Sequence, residues 1–301
     1  MQIDKLLDEF LLDLQLKNYS ERTIKSVRNN NRLFFSYLKS QYDIEDIEEV
    51  KKPHVKSYLR YKQASKLQPT YINSILKNLR MFFKYLEEEE YIYINPVEKV
   101  SFIKEEKVII NSFNEEEIQR MIRVYGYETY LESRNRCIIS MLFDTGIRNF
   151  ELCNIKCEDI RGSAIMIYGK GNKQRVVPIS SPLRKAMLKY EKKRQQFIKE
   201  RHQDEYYFLS QKGRKLTIET VERIVKECGI KSGVRKEIRC SPHTCRHTYA
   251  QINLKNGLDI YAVSRLLGHE NISITKRYLQ SITDEEVLDM AVKKSPLTKL
   301  M

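Results

Sequence analysis

Four short segments in the second half of the chain gather side chains suited to chemistry at a phosphodiester. DTGIRNFEL places Arg148 just after Gly146, at the start of a short helical pattern whose Leu152 faces a core, with Glu151 three residues beyond Arg148. GKGNKQR carries Lys170, Lys173 and Arg175 around a tight turn. SPHTCRHTYA sets His243 and Arg246 three apart, and therefore on one helical face. LLGHENISITKRYLQ puts His269 just past a helix and Tyr278 nine residues later. A phenol has a pKa near 10, so only about one tyrosine in a thousand is ionised at pH 7. As a nucleophile it needs a cationic pocket or a base that takes its proton. Phosphoryl transfer concentrates negative charge on the non-bridging oxygens, and planar, permanently charged guanidiniums can clamp that charge bidentately. A lysine beside two arginines has an acidified ammonium, which suits protonation of a departing oxygen.

Each of these residues also has an ordinary explanation. Arg148 and Glu151 can form a helix-start salt bridge. His243 and His247, four apart, can bind zinc, although SPHTCRHTY lacks the glutamate of the H-E-x-x-H pattern. Tyr278 is one of 19 tyrosines, and Lys170 is one lysine on a turn. Only the joint presence of the set argues for chemistry.

The elements that must position these residues follow from periodicity. Before residue 100 the pattern is helical almost throughout. Leu6, Leu7, Phe10, Leu11 and Leu14 form one stripe, and Ser20 is an N-cap for a second through Ile24, Val27, Phe34, Tyr37 and Leu38. Pro53 sits in the first turn of a third helix with Val55, Tyr58 and Leu59. Ile72, Ile75, Leu76, Leu79, Phe82, Phe83 and Leu86 make a fourth. Four such helices close a bundle over residues 1–98, with Lys25, Arg28, Arg32, Arg60, Lys62, Lys77 and Arg80 among its polar positions. These cations read equally well as a solvated face or as a grip on phosphates.

Residues 99–112 lack a helix period and are expected to be a linker. Asn114 and Glu117 form a capping box that opens a second domain over 113–282. Helices are expected at 114–125, 133–144 (ended by Gly146), 149–154, 181–199, 217–228, 242–256, 259–267 and 273–280, with a last one near 283–293 in a tail spanning 283–301. AIMIYGKGNKQRVVPI reads as a β-hairpin, and YYFLS at 206–210 as a candidate third strand. The fold class is therefore mainly α with a small antiparallel sheet: a helical bundle followed by a mixed α/β domain.

Composition restricts the partners. Among 301 residues, 54 Lys and Arg against 40 Asp and Glu leave a net charge of +14, which favours a polyanion, nucleic acid by default. The basic residues are spread along the chain rather than gathered on one amphipathic helix, which disfavours a membrane surface. No apolar run approaches the ~18 residues of a membrane span, and MQIDKLLDEF is not a signal peptide, so a cytoplasmic location is expected. Six cysteines without a C-x2-C pair fit reduced, mostly buried thiols better than a disulfide framework or a zinc site.

In order and spacing the four segments resemble the tyrosine recombinase (phage integrase-like) family, closest to Xer-type recombinases and transposon integrases. The resemblance covers about 112–282, and the bundle is what that family's SAM-like core-binding domain looks like. It implies a catalytic set of Arg148, Lys170, His243, Arg246, His269 and Tyr278, with Tyr278 the nucleophile and Glu151 the supporting acid. Lys170 is chosen because the first lysine of GKG is the family's catalytic place, which leaves Lys173 and Arg175 as DNA-backbone contacts. His269 occupies a place where relatives carry His or Trp. Asn149 departs from the apolar or small residue usual there.

The resemblance further implies strand exchange through a 3′-phosphotyrosine and a Holliday junction, without metal or cofactor. The partner would be double-stranded DNA carrying paired sites, bound by a homotetramer near the nucleoid and enclosed in a clamp of the two domains. In relatives the tail docks on a neighbouring protomer, whereas packing on its own protomer is the plainer reading of this amphipathic segment. Type IB topoisomerase-like relaxation and non-catalytic DNA-binding regulation stay open. So do transposon, phage and chromosome-resolution roles.

Overall fold

The computed structural model describes residues 2–105, 111–169, 174–198, 205–279 and 284–293. The chain divides into two compact units, Met1–Lys107 and Val108–Met301.

The first unit is built on four helices, α1 (Ile3–Leu16), α2 (Glu21–Tyr42), α3 (Lys52–Ala64) and α4 (Pro69–Glu88). Ser20 caps α2, accepting from the Thr23 amide at 3.2 Å. The apolar stripes meet in one core, where Phe34, Phe82 and Phe83 are fully enclosed and Phe10 meets Phe82 at 5.5 Å between ring centres. Residues 99–105, read from sequence as the start of a linker, lie along this bundle. Val100 is buried, and the Asn73 side chain both donates to the Ile103 carbonyl and accepts from its amide at 2.9 Å. Arg80 donates to the Val100 carbonyl and lies 4.3 Å from the centre of the Phe102 ring. It is thereby engaged inside the unit, whereas Lys25, Arg32, Arg60 and Lys77 are exposed.

The second unit opens with α5 (Glu115–Arg123). Its capping box is formed by Asn114, which accepts from the Glu117 amide at 2.8 Å, and by Glu117, which accepts from the Asn114 amide at 3.0 Å. The central α6 (Tyr130–Thr145) stops at Gly146, which takes a φ of +60°. A side chain there would run into Tyr249 and Leu267. After the short α7 (Asn149–Asn154) come β1 (Ile160–Arg161), β2 (Ala164–Tyr168) and β3 (Gln174–Pro178), antiparallel in that order. In the hairpin Ile165 faces Val177 and Ile167 faces Arg175. By strand alternation Arg175 therefore shares the inward face with the buried Val177. The hairpin tip, with Lys170 and Lys173, lies outside the described residues.

The third strand is β1, not YYFLS. Tyr206 and Leu209 make only isolated bridges, to Lys156 and Lys215. Side chains take the acceptors a strand neighbour would need. Tyr190 and Arg194 donate to the Tyr207 carbonyl at 2.8 and 3.0 Å, and Arg134 and Tyr130 to that of Leu209 at 2.8 and 3.0 Å.

Five further helices follow in the order α8 (Ser181–Ile198), α9 (Ile218–Lys231), α10 (Pro242–Lys255), α11 (Ile260–Leu267) and α12 (Ile272–Leu279). The last described element is α13 (Asp284–Lys293). All six cysteines are free thiols, four of them buried.

Candidate active site

The site assembles where the start of α7, the inner face of β3, the first turns of α10, the end of α11 and α12 converge. Arg148 is the N-cap of α7. Its amide donates to Glu151 Oε2 at 2.9 Å, and its guanidinium donates to Glu151 Oε1 and to the Gly268 carbonyl, both at 2.8 Å. With 41% of its side chain exposed, it keeps donors open to solvent. Arg246 is the opposite case. Only 4% exposed, it donates to the Gly146 carbonyl at 2.8 Å and the Leu267 carbonyl at 2.7 Å, tying the end of α6 to the end of α11. Burial, then repulsion from Arg148, brings its pKa down to about 10, so it is still a cation at neutral pH.

Tyr278, on α12, is 2% exposed and hydrogen-bonded to Arg246. Burial pushes its phenol pKa up. Arg246, by charge and hydrogen bond, then Arg148 and Arg277 pull it back without reversing the shift. The ring lies 6.2 Å from that of His269 and 5.2 Å from that of His247, and His247 in turn lies 4.0 Å from His243. His269 shares a 2.8 Å hydrogen bond with the buried Thr275 hydroxyl through Nδ1.

Five of the six residues expected to act together, Arg148, His243, Arg246, His269 and Tyr278, thus belong to one cluster. The sixth, Lys170, and the DNA-contact candidate Lys173 lie outside the described residues. Glu151 is buried against the arginines. Arg175, expected to grip the DNA backbone, instead points inward with 11% of its side chain exposed, and both ends of its guanidinium are on Glu151 at 2.7–2.8 Å.

Three relations within the site were not read from the sequence. His247 carries a buried Nδ1 with no hydrogen-bond partner. Thr275 fixes His269, and Arg175 holds Glu151; for Arg175 the signal was its inward register two residues before Val177. The zinc alternative at His243 and His247 has no further ligand, since the described residues hold no group of three His, Cys, Asp or Glu able to grip a metal.

The imidazoles are neutral at pH 7. Burial first, and then His243 and Arg246, lower the His247 pKa to about 4. Burial first, and then Arg246 and Arg148, do the same for His269. Both folded-state values lie below the ordinary 6.5, so between pH 6.5 and 4 the unfolded chain binds more protons than the folded one, and stability falls as pH is lowered through that window. A melting series should fall by several degrees from pH 6.5 to 4. His247→Asn and His269→Asn should each flatten the decline, and an equally steep fall in both variants would contradict the assignment.

Residues 111–285 match the phage integrase family, and residues 6–92 match the N-terminal SAM-like domain of phage integrases. The chain is 34% identical to the tyrosine recombinase XerC of Bacillus pumilus over 280 residues, 91% of each protein. It is 32% identical to that of Anoxybacillus flavithermus, over 92% of this chain and 93% of that protein. Among solved structures, the XerH site-specific recombinase bound to a palindromic difH substrate superposes with a TM-score of 0.77 at 20% identity, covering 92% of this chain and 81% of that one. The Tn1549 transposon integrase with transposon right-end DNA gives 0.75 at 17% identity, covering 98% and 100%. These structures share the fold, while the sequence relatives and family matches carry the conclusion that the chain belongs to the phage integrase family and is a tyrosine-type site-specific recombinase.

Proposed function

We propose that the protein exchanges strands between two duplex sites, with Tyr278 as the nucleophile. The observation that carries this reading is a buried phenol hydrogen-bonded to one arginine and within the field of a second. In the cleavage step the Tyr278 oxygen bonds to the scissile phosphorus, the bond from phosphorus to the 5′ oxygen breaks, and the 5′-hydroxyl leaves carrying a proton supplied by Lys170. Arg148 and Arg246 hold the non-bridging oxygens as negative charge builds there. The phenol is protonated and covered in the free protein, so attack requires α12 to shift when DNA enters. His243, with its pKa lowered by partial desolvation and then by Arg246, is neutral and able to take the phenolic proton. In the tautomer in which the Thr275 hydroxyl donates to Nδ1, His269 carries its proton on Nε2 and can donate it to a phosphate oxygen. A 5′-hydroxyl from the partner duplex then attacks the phosphotyrosine and regenerates the phenol. The link conserves the energy of the broken bond, so strand joining needs no nucleotide hydrolysis.

A homotetramer on paired sites is the assembly this exchange requires. The exposed Val287, Leu288 and Val292 of α13 support docking of the tail on a neighbouring protomer. The relatives named above are recombinases and an integrase, and none favours topoisomerase-like relaxation or a purely regulatory role. No helix among the described residues is long and apolar enough to cross a membrane, in keeping with a protein that works on the nucleoid in the cytoplasm.

A duplex with a nick beside the cleavage site tests the chemistry, because the freed end diffuses away and the covalent adduct accumulates. Affinity is tested separately by salt. If the basic surfaces of both units neutralise six or more phosphates, a plot of log affinity against log salt is linear with a slope of about −5 or steeper. A flat plot would contradict a phosphate-gripping enzyme.

A further inference from the structure

Helix α11 ends in three successive carbonyls, and each is taken by a different guanidinium. Arg175 Nε donates to Leu266 at 2.8 Å, Arg246 Nη2 to Leu267 at 2.7 Å and Arg148 Nη2 to Gly268 at 2.8 Å. Such terminal acceptors have no partner within their own helix, and they carry the negative end of its dipole. The donors arrive from β3, α10 and the start of α7, so the end of α11 is the common anchor of the cationic pocket.

Glu151 is the second anchor. Its Oε1 accepts from Arg148 Nη1 and Arg175 Nη1, both at 2.8 Å, and its Oε2 accepts from Arg175 Nη2 at 2.7 Å and the Arg148 amide at 2.9 Å. Arg175 therefore takes both carboxylate oxygens. Arg148, which would otherwise be free to close bidentately on the same carboxylate, is held to it by one side-chain nitrogen. Its remaining donors stay available to a phosphate. An independent feature fits the same arrangement. Gly268 has a φ of +65°, and a Cβ there would lie 3.0 Å from Arg175 Cδ and 3.1 Å from its Nη1. The glycine of LLGH leaves the space that Arg175 fills.

We propose that Arg175 is a positioning residue of the recombinase rather than a DNA contact: by holding Glu151 and the end of α11 it aims Arg148 and Arg246 at the scissile phosphate. This rests on the strand-exchange reading above.

The test uses the full-length protein and the nicked duplex, with adduct formation followed in single turnover at saturating DNA. Arg175→Ala should slow adduct formation about 100-fold, the size of effect expected when a catalytic group is displaced by about 1 Å. Duplex affinity and its salt slope should stay at the wild-type values. Arg175→Lys should remain defective, because one ammonium cannot take two carboxylate oxygens and a carbonyl in a fixed fork. Guanidinium ion should restore Arg175→Ala in part, where sodium chloride of the same ionic strength does not.

The acid limb of the pH–rate profile should also move to higher pH in Arg175→Ala. Burial would then favour the protonated form of Glu151 against only Arg148 and Arg246, with His269 neutral beside them. The proposal is overturned if Arg175→Ala lowers duplex affinity and flattens the salt slope while cleaving at the wild-type rate when saturated. Should Arg175→Ala lose its cooperative melt, Arg175→Lys decides: full activity overturns the proposal, and a folded, DNA-binding, slow enzyme supports it. Failure of the strand-exchange reading looks different, since wild-type protein would then form no adduct or Tyr278→Phe would still form one.

Discussion

Tyr278→Phe is expected to abolish the covalent protein–DNA adduct on a nicked duplex while leaving duplex affinity essentially unchanged. The substitution removes one oxygen and keeps the ring, so packing against His247 at 5.2 Å and His269 at 6.2 Å is preserved. What is lost is the oxygen proposed as nucleophile and one hydrogen bond to Arg246. Affinity comes instead from cations meeting phosphates, and none of these is altered. Denaturing electrophoresis of end-labelled duplex separates the outcomes. A shifted, protease-sensitive band in the wild type and none in the variant supports the assignment, and a band in the variant removes Tyr278 from the mechanism.

Replacing Arg246 should have nearly as large an effect on rate and an additional one on stability. At saturating DNA, Arg246→Ala should slow adduct formation on the order of 100- to 1000-fold, the usual effect of removing one fixed donor from a developing oxyanion. Because Arg246 also bonds the Gly146 and Leu267 carbonyls, its removal leaves two buried acceptors without a partner. Each such loss costs about 1–3 kcal/mol, so the melting temperature should drop as well. Arg246→Lys should not restore the rate, since an ammonium cannot span two carbonyls and a phosphate. Arg148→Ala makes the informative contrast. Arg148 is 41% exposed, so its loss should slow cleavage to a similar degree with a much smaller change in melting. Equal stability losses in the two variants, or an unchanged rate in either, would contradict the division of labour drawn here.

Much of this site was legible in the sequence because the chemistry lies in local patterns. Arg148 follows a glycine that stops α6, His243 and Arg246 sit on one face of α10, and His269 follows the glycine that ends α11. Each is fixed by a turn or a helical period that a short window contains. Arg175 was grouped with the cations of a turn, whereas strand alternation places it inward beside Val177. A charged side chain on an inward face must find an opposite charge, and Glu151 is 24 residues away in sequence, beyond any local pattern. The YYFLS segment failed for a related reason. Its composition is that of a strand, but Tyr190, Arg194 and Arg134 occupy the carbonyls through which a strand would pair. Residues 99–105 carry no helix period and so read as a linker, yet Asn73 and Arg80 hold them against the bundle through backbone bonds that composition does not reveal.

The central claim is that dispersed residues converge so that one particular phenol attacks phosphorus. Trypsin digestion of the trapped adduct, followed by nuclease trimming and mass spectrometry, tests it directly. The account predicts a nucleotide mass on the peptide that begins at Tyr278 and on no other. A nucleotide on any of the other tyrosines, or on a serine, would contradict it.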